Sequence, residues 1–389
     1  MIDQGIAEII DKGLLGKKLT DEQLLTLLEL ETFSPEAAYL RWAGRHLARV
    51  ASGATAQIYA EINLDSLPCP TDCGFCALAK SRGVRTGGAT KRMITKPDGT
   101  HEMVDVEPDP AAAAAPAELT AEQAEARILP AAEAARLARA FDQAGVHLIS
   151  LHCTDALPFE RLAETVRAVR DAVSKDMPLM VDRKTLTADQ ARELAAAGAQ
   201  AARQSIFLGE AAAGNASADA SLQVIRHIRD ANLELMACVE PVHRGVPATE
   251  LLAAIRQVLE LKPFCSTVNP LVSLTGSRME QYLPVSAARA ELVEAVARLV
   301  AGVKQVKHGF GGGNVRWIRT GATTCGRTGV DDDALIARRV ADARAALEGQ
   351  EWSVPSRPLT QWFPASEEAL KSIASAPVGY TPILPTNRR

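Results

Sequence analysis

Residues 178–208 read PLMVDRKTLTADQARELAAAGAQAARQSIFL, and this stretch decides the fold class. PLMVD (178–182) is short, apolar and β-prone; LTADQARELAAAG (186–198) is amphipathic with helical spacing; RQSIFL (203–208) is β-prone again. Thr187 stands where an N-cap belongs, and Gly198 where a helix stops. Strand, helix and strand within about thirty residues make one βαβ crossover unit, whose two strands run parallel. The alternation continues in both directions. Further β-prone segments are QIYAEIN (57–63), VHLISL (146–151), LELMACV (233–239), STVNPL (266–271) and VKQVKHG (303–309). Between them lie amphipathic stretches at 160–173, 220–231, 248–261 and 286–302. Such repetition predicts an α/β chain with a parallel sheet, closed most economically into a (β/α)8 TIM-type barrel over residues 57–348. An open doubly wound sheet is the alternative.

The flanks read differently. Residues 1–56 are helical: Thr20 with Gln23 forms a capping box, and Ser34 before Pro35 starts a helix running through Ala48. Residues 83–127 combine Gly, Pro and acids with little periodicity, which predicts an inserted loop or lid. Residues 349–389 are Pro-rich and predict a surface arm with one short helix at 365–374.

Composition narrows the function. Of 389 residues 47% are hydrophobic and 23% charged, the ordinary make-up of a soluble globular chain. The net charge of −4 is spread without long blocks, which argues against a nucleic-acid partner. No apolar run reaches the ~18 residues of a membrane span. The N-terminal stretch lacks the charged-then-apolar layout of a secretion signal, so a cytoplasmic protein with no membrane partner is expected. Seven cysteines is an odd number, and three of them crowd at Cys69, Cys73 and Cys76. In a reducing compartment such crowding points to metal or redox chemistry.

The sequence Cys69-Pro-Thr-Asp-Cys73-Gly-Phe-Cys76 follows the first strand, where a barrel has its C-terminal mouth. Pro70 and Gly74 allow the bend that three converging thiolates need. Three ligands are one short of a closed tetrahedral zinc site. They are also one short of the four thiolates that usually hold a four-iron cluster, so one iron would be left open. The alternative is a structural zinc in a noncatalytic scaffold protein, with its fourth ligand from Cys153, Cys238, Cys325 or a histidine.

The cysteine spacing with Phe75 at the aromatic position resembles the radical S-adenosylmethionine enzymes. EINLDSLPCPTDCGFC (61–76), LTADQARELAAAGAQ (186–200), TVNPLVSLTGSRME (267–280) and IRTGATTCG (318–326) resemble stretches of biotin synthase. Together they cover roughly residues 18–345 and point to the subgroup holding biotin synthase, the [FeFe]-hydrogenase maturase radical enzyme and methylornithine synthase. The resemblance implies a complete barrel, a [4Fe-4S] cluster on Cys69, Cys73 and Cys76, and S-adenosyl-L-methionine bound at the open iron. Cleavage of that cofactor by one electron, from a reductant such as flavodoxin or ferredoxin, would give a 5′-deoxyadenosyl radical. The radical would take hydrogen from a small-molecule or cofactor-precursor substrate, leading to sulfur insertion, rearrangement or fragmentation. By the same resemblance Phe75 would pack near the adenine, and Asp155 would take the acid position that receives the methionine amine. A helix N-cap is the alternative role for Asp155.

Other positions follow from the same comparison. Among Arg203, Gln204, Ser205 and Glu210 on the fourth barrel strand, Arg203 and Ser205 are expected to face the cofactor together, since alternate residues share a face. Glu240 belongs at the mouth. The second-cluster cysteines of biotin synthase fall near Leu148, Met180 and Met236, and its cluster-binding arginine near Lys307. Those residues cannot serve, and a displaced auxiliary site would need Cys153, Cys238 and Cys325. Cys265 should lie at the closed end. Gly309–Asn314 is a glycine-rich loop suited to anions, with Arg316 and Arg319 as either carboxylate ligands or exposed helix residues.

Overall fold

A computed structural model describes residues 2–81, 90–95, 101–106, 119–209, 212, 214, 218–306, 315–322 and 331–356. Three helices come first: α1 (Gln4–Leu14), α2 (Asp21–Leu28) and α3 (Pro35–Ser52). Thr20 and Gln23 exchange the two bonds of a capping box, and Ser34 caps α3 ahead of Pro35. Then follow β1 (Gln57–Asn63), the hairpin strands β2 (Thr90–Thr95) and β3 (His101–Val106), α4 (Ala121–Glu125) and α5 (Ala131–Ala144). The regular alternation is β4 (Leu148–His152), α6 (Phe159–Ala172), β5 (Leu179–Asp182), α7 (Ala188–Ala196), β6 (Ala201–Phe207) and α8 (Ala218–Asp230). It continues through β7 (Glu234–Val242), α9 (Ala248–Glu260), β8 (Cys265–Pro270), α10 (Ala287–Val306), β9 (Val315–Gly321) and α11 (Asp333–Glu348).

Seven strands form one parallel sheet in the order β8-β7-β6-β5-β4-β1-β9. From β1 through β4 to β8 each strand lies beside the one before it, β9 pairs on the other side of β1, and the sheet is curled. Two separate apolar cores show the curl. The large outer core joins the helices to strand residues such as Ile58, Ile149, Val181, Ala202, Ala237 and Val268. The alternate residues Tyr59, Leu148, Met180, Ala201, Met236 and Cys265 meet one another in a second core, free of helices, with Trp317 and Phe264. A doubly wound sheet would have helices on both faces. This one has strands facing strands, so it is a partial TIM-type barrel.

Two expectations change. Residues 303–306 are helical, continuing α10 beyond a kink at Gly302, and 307–309 lie outside the described residues. Val303 and Val306 are three apart, a spacing that suits a helix face better than a strand. The strand stands later, at Val315–Gly321, so seven parallel strands rather than eight are seen among the described residues. The 83–127 segment is also not wholly a loop: β2 and β3 pair antiparallel within it, and α4 closes its end. TKRMIT and HEMVDV, with Asp98-Gly99 between them in the sequence, carried that hairpin signal. Of the arm, 349–356 is described and returns to the sheet: Ala56 N–H donates to the Ser353 carbonyl at 2.8 Å, and His147 contacts the Pro355 carbonyl at 2.9 Å. The proposed helix at 365–374 lies outside the described residues. No helix among the described residues is long and apolar enough to cross a membrane.

The N-terminal helices attach through close helix packing. At Gly44 of α3 an added Cβ would lie 2.6 Å from Ala295 Cβ and 2.7 Å from Ala295 Cα on α10. Overpacking of this kind costs about 1–3 kcal/mol. Gly44→Ala is therefore expected to lower the unfolding free energy by that amount, read as a lower urea midpoint with the slope unchanged. An equal midpoint in urea titration would show that the helices have room to separate.

Candidate active site

The chain leaves β1 into a loop carrying Cys69, Cys73 and Cys76 at the C-terminal end of the sheet. The loop closes on itself. Cys69 N–H donates to the Leu78 carbonyl at 2.6 Å, and Lys80 N–H to the Cys69 carbonyl at 3.1 Å. Cys76 N–H donates to the Cys73 carbonyl at 3.0 Å, while Leu78 N–H donates to Cys76 Sγ at 3.4 Å. Cys69 and Cys73 are buried and Cys76 is half-buried. Burial pushes the Cys73 thiol up to about 12 and also raises Cys76, with the Lys184 ammonium opposing both shifts. Soft, sequestered thiols that need added positive charge to ionise suit an iron–sulfur group. Among the described residues no three His, Cys, Asp or Glu side chains, the triad included, are arranged to hold a single metal ion.

Three neighbouring loops clamp the cysteine loop. Asp72 sits in the left-handed region at φ 57°, and its carboxylate accepts from Ser81 N–H at 2.7 Å. Arg278 donates to the Asp72 carbonyl and lies 3.6 Å from its carboxylate. Gly74 N–H donates to the Ala212 carbonyl and the Gly74 carbonyl accepts from Met279 N–H, both at 3.1 Å. Gly214, at φ +65°, could carry no side chain here, because a Cβ would lie 2.3 Å from the Asp72 carbonyl oxygen. Phe75 turns back against Phe207 of β6, with ring centroids 6.0 Å apart.

Asp155 joins this clamp. Its carboxylate accepts from the Thr71 hydroxyl and from Thr185 N–H at 3.1 Å, and lies 3.5 Å from Arg183 Nε. It caps no helix: α6 follows Pro158 without a side-chain cap. Asp155 thus ties the cysteine loop to the loop after β5. Asp65, fully buried and unforeseen from the sequence, does similar work by accepting from Leu67 N–H, Thr154 N–H and the Thr154 hydroxyl at 3.0, 2.8 and 2.7 Å.

Beneath the loop lies a charged interior. Arg203 and Ser205 face inward, while Gln204 points away and donates to the Lys184 carbonyl at 2.9 Å. Arg203 lies 2.9 Å from Asp182, 3.4 Å from Glu240 and 3.9 Å from Glu61, the last on a strand three places along the sheet. Glu240 also accepts from Ser205 and from Asn269 at 2.6 Å, with Lys184 at 3.6 Å. Lys184 donates to Ser205 at 2.8 Å and lies 5.5 Å over the Phe207 ring. Sequence reasoning missed Glu61, Asp182, Lys184 and Asn269. Burial works against ionisation of Asp182, yet Arg203, Lys184 and His152 outweigh it and hold the acid at about 2. Glu240 is likewise lowered against burial by Arg203 and Lys184.

The remaining candidates separate. Cys153 belongs to the outer core and Cys238 to the inner one, so these two cannot share a cluster. Cys325, Glu210, Lys307 and Gly309–Asn314 lie outside the described residues. Cys265 is in the inner apolar core at the start of β8, the closed end. Arg316 and Arg319 are on β9 rather than a helix, and Arg319 Nε donates inward to Glu61 at 2.8 Å.

A curled parallel α/β sheet with a clamped three-cysteine loop over a charged interior defines the class. The solved structure of methylornithine synthase is similar to it at a TM-score of 0.61 and 15% identity, over 94% of this chain and 99% of that one. The FeFe-hydrogenase maturase HydG from Carboxydothermus hydrogenoformans is similar at 0.60 and 15%, over 92% and 80%. At this identity the likeness establishes a common fold. No protein-family model and no curated protein matches the sequence.

Replacing Arg203 by Met would leave buried carboxylates without their cation, a change that costs about 3–5 kcal/mol. In the wild type the depressed acids contribute stability that is complete above the unfolded carboxylate pKa near 4 and fades as pH falls toward 2. In Arg203→Met the same acids should prefer protonation, so mild acidification from pH 7 should stabilise the variant. Chemical denaturation across pH measures both signs, and parallel profiles would refute the assignment.

Proposed function

We propose that this chain is a radical S-adenosylmethionine enzyme of the biotin-synthase-like kind, acting on a small molecule held inside the sheet. The observation that carries the reading is the cysteine loop: three thiols on one self-closed segment, clamped by three other loops over a polar interior. Cys69, Cys73 and Cys76 would hold a [4Fe-4S] cluster, and the fold shared with methylornithine synthase and HydG supports that choice. When bound, the cluster and S-adenosyl-L-methionine supply one-electron cleavage to a 5′-deoxyadenosyl radical able to take hydrogen from an unactivated carbon.

The chain's own residues then bind and orient. Phe75 and Phe207 offer an aromatic wall beside the loop for the adenine. Arg203, Ser205, Lys184 and Glu240 form a rigid polar cluster suited to the cofactor's amine, carboxylate and hydroxyl groups. Asp155 is placed as a positioning residue for the loop, its carboxylate being already engaged by Thr71, Thr185 and Arg183. The apolar floor of Tyr59, Leu148, Met180 and Met236 excludes water from below. It also occupies the positions where biotin synthase keeps its second cluster, which favours rearrangement or fragmentation over sulfur insertion. A one-electron reductant such as flavodoxin or ferredoxin is the expected partner, in a reducing, cytoplasmic setting.

Anaerobic reconstitution tests the reading. The wild type should retain iron, show visible absorbance that dithionite bleaches, and release 5′-deoxyadenosine from S-adenosylmethionine. Cys73→Ala should fold, because the cores lie below the loop, yet lose iron and cleavage. Cys265→Ala should keep both and cost only packing, on the order of 1–2 kcal/mol. A colourless wild-type protein with one zinc per chain would overturn the reading in favour of a scaffold.

A further inference from the structure

At the closed end of the sheet, away from the cysteine loop, residues 350–356 follow α11 and lie as a short strap beside the starts of β1 and β4. Two backbone bonds tie the strap to the approach to β1: Ala56 N–H donates to the Ser353 carbonyl and Ser353 N–H to the Ala54 carbonyl, both at 2.8 Å. Arg344 of α11 donates to the Val354 carbonyl at 2.7 Å and to the Pro355 carbonyl at 3.1 Å. Trp352 is buried against the outer core, with the Arg49 guanidinium 5.0 Å over its ring. Backbone amides, arginine and indole do not titrate near neutral pH, so none of these contacts is sensitive to it.

His147 is the exception. It is 2% exposed and stands just ahead of β4, between β1 and the strap. Its backbone N–H donates to the Ile58 carbonyl at 2.8 Å. Its ring Nδ1 accepts from Ile58 N–H at 2.9 Å, and its Nε2 lies 2.9 Å from the Pro355 carbonyl. These partners admit one protonation state. An amide N–H can only donate, so Nδ1 must keep its lone pair; a carbonyl can only accept, so Nε2 must carry the hydrogen. A second proton would set a ring N–H against Ile58 N–H and leave that amide without its acceptor. The charged side chain facing the ring is Arg344, a cation that also opposes a second positive charge. Burial first, and Arg344 with it, hold His147 below the ordinary imidazole value.

We propose that His147 is an acid-released latch: the neutral ring bridges β1 to the strap, and the protonated ring lets residues 353–356 go. The step is uptake of one proton from solvent. Gln350 and Glu351 stay in place, since Arg49 donates to both of their carbonyls, so the opening is local. The closed ring refuses a proton that the open ring takes near its ordinary value of about 6.5. Stability from the latch is therefore complete above that value and is lost as pH falls. The opening constant rises about tenfold for each further pH unit below it, until the closed ring also titrates. The latch involves neither the cysteine loop nor the charged interior, and does not depend on the proposed function.

Hydrogen exchange on the full chain tests this at the amides of Ile58, Ala56 and Ser353. The amide of Phe264, bonded to the Leu235 carbonyl at the closed end of β8, is the control. After correction for the intrinsic pH dependence of exchange, the three latch amides should open about tenfold more at pH 5.5 than at pH 7.5, and Phe264 should not change. His147→Gln keeps a neutral acceptor and donor on the side chain and should remove that dependence. The wild type carries a second readout: nitrogen-15 shifts of the His147 ring at pH 7.5 should show hydrogen on Nε2 alone. Hydrogen on Nδ1 would overturn the inference, as would latch amides indifferent to pH or a Gln variant with the wild-type pH dependence. Loss of protection at Phe264 in step with the latch amides would also overturn it, because the opening would then be global.

Discussion

Arg203 is a guanidinium in a place where water cannot reach it freely, and the interior is arranged around that fact. An unpaired buried cation is prohibitively expensive, so carboxylates must be brought to it. They come from β5, β7 and, across the curl, from β1. Asp182 and Glu240 could be supplied by an almost flat sheet, since their strands flank β6 on either side. Glu61 could not. Its approach to 3.9 Å needs the sheet to bend until β1 faces β6. Curvature and charge pairing are thus one constraint: the sheet closes around its own ions, and the same acids that neutralise Arg203 hold Lys184 beneath the cysteine loop.

The loop obeys a related rule. An irregular segment that must hold three thiols in fixed relation cannot rely on a ladder of sheet bonds, so its backbone groups are satisfied by carboxylates and by facing loops. Asp65 braces the turn after β4, Asp155 the loop after β5, Ala212 and Gly214 the segment after β6, and Arg278 and Met279 the segment after β8. Grips from the segments after β4, β5, β6 and β8 explain why the cysteines can be spaced so closely in sequence. One short loop need only be gripped; it does not need to reach. It also explains the glycine at 214, where two backbones meet with no room for a Cβ.

How much of this could be read beforehand depends on the range of the interaction. Helix starts at Thr20, Ser34 and Thr187 are local chemistry and stand where the sequence places them. Strands flanked by amphipathic helices were legible because periodicity is local too. VKQV misled because its β-branched valines read as strand although their i, i+3 spacing is that of a helix, and the true edge strand VRWIRTG hides its alternation behind two arginines. At the site, the triad was visible as spacing, and Arg203 and Ser205 as alternation. Asp182 and Lys184 were not, because a charged strand end reads as ordinary solvated sequence until neighbouring strands enclose it. Glu61 was harder still. It lies in the middle of a strand, where its only signal was a charge between Tyr59 and Asn63 on a face that proves to be the interior.

The two cores also bear on what the interior can hold. Strand alternation sends Ile58, Ile149 and Val181 outward to the helices and Tyr59, Leu148 and Met180 inward. A cysteine displaced by an odd number of residues therefore changes compartment altogether. Cys153, one residue past His152, falls on the helix side, while Cys238 remains inside with Arg203 Nε at 3.3 Å and the Thr267 hydroxyl at 3.2 Å on its sulfur. Inside, Tyr59, Leu148, Met180 and Met236 form the apolar part of the interior, and the charged groups of Asp182, Arg203 and Glu240 stand two to four residues further along their strands, toward the cysteine loop.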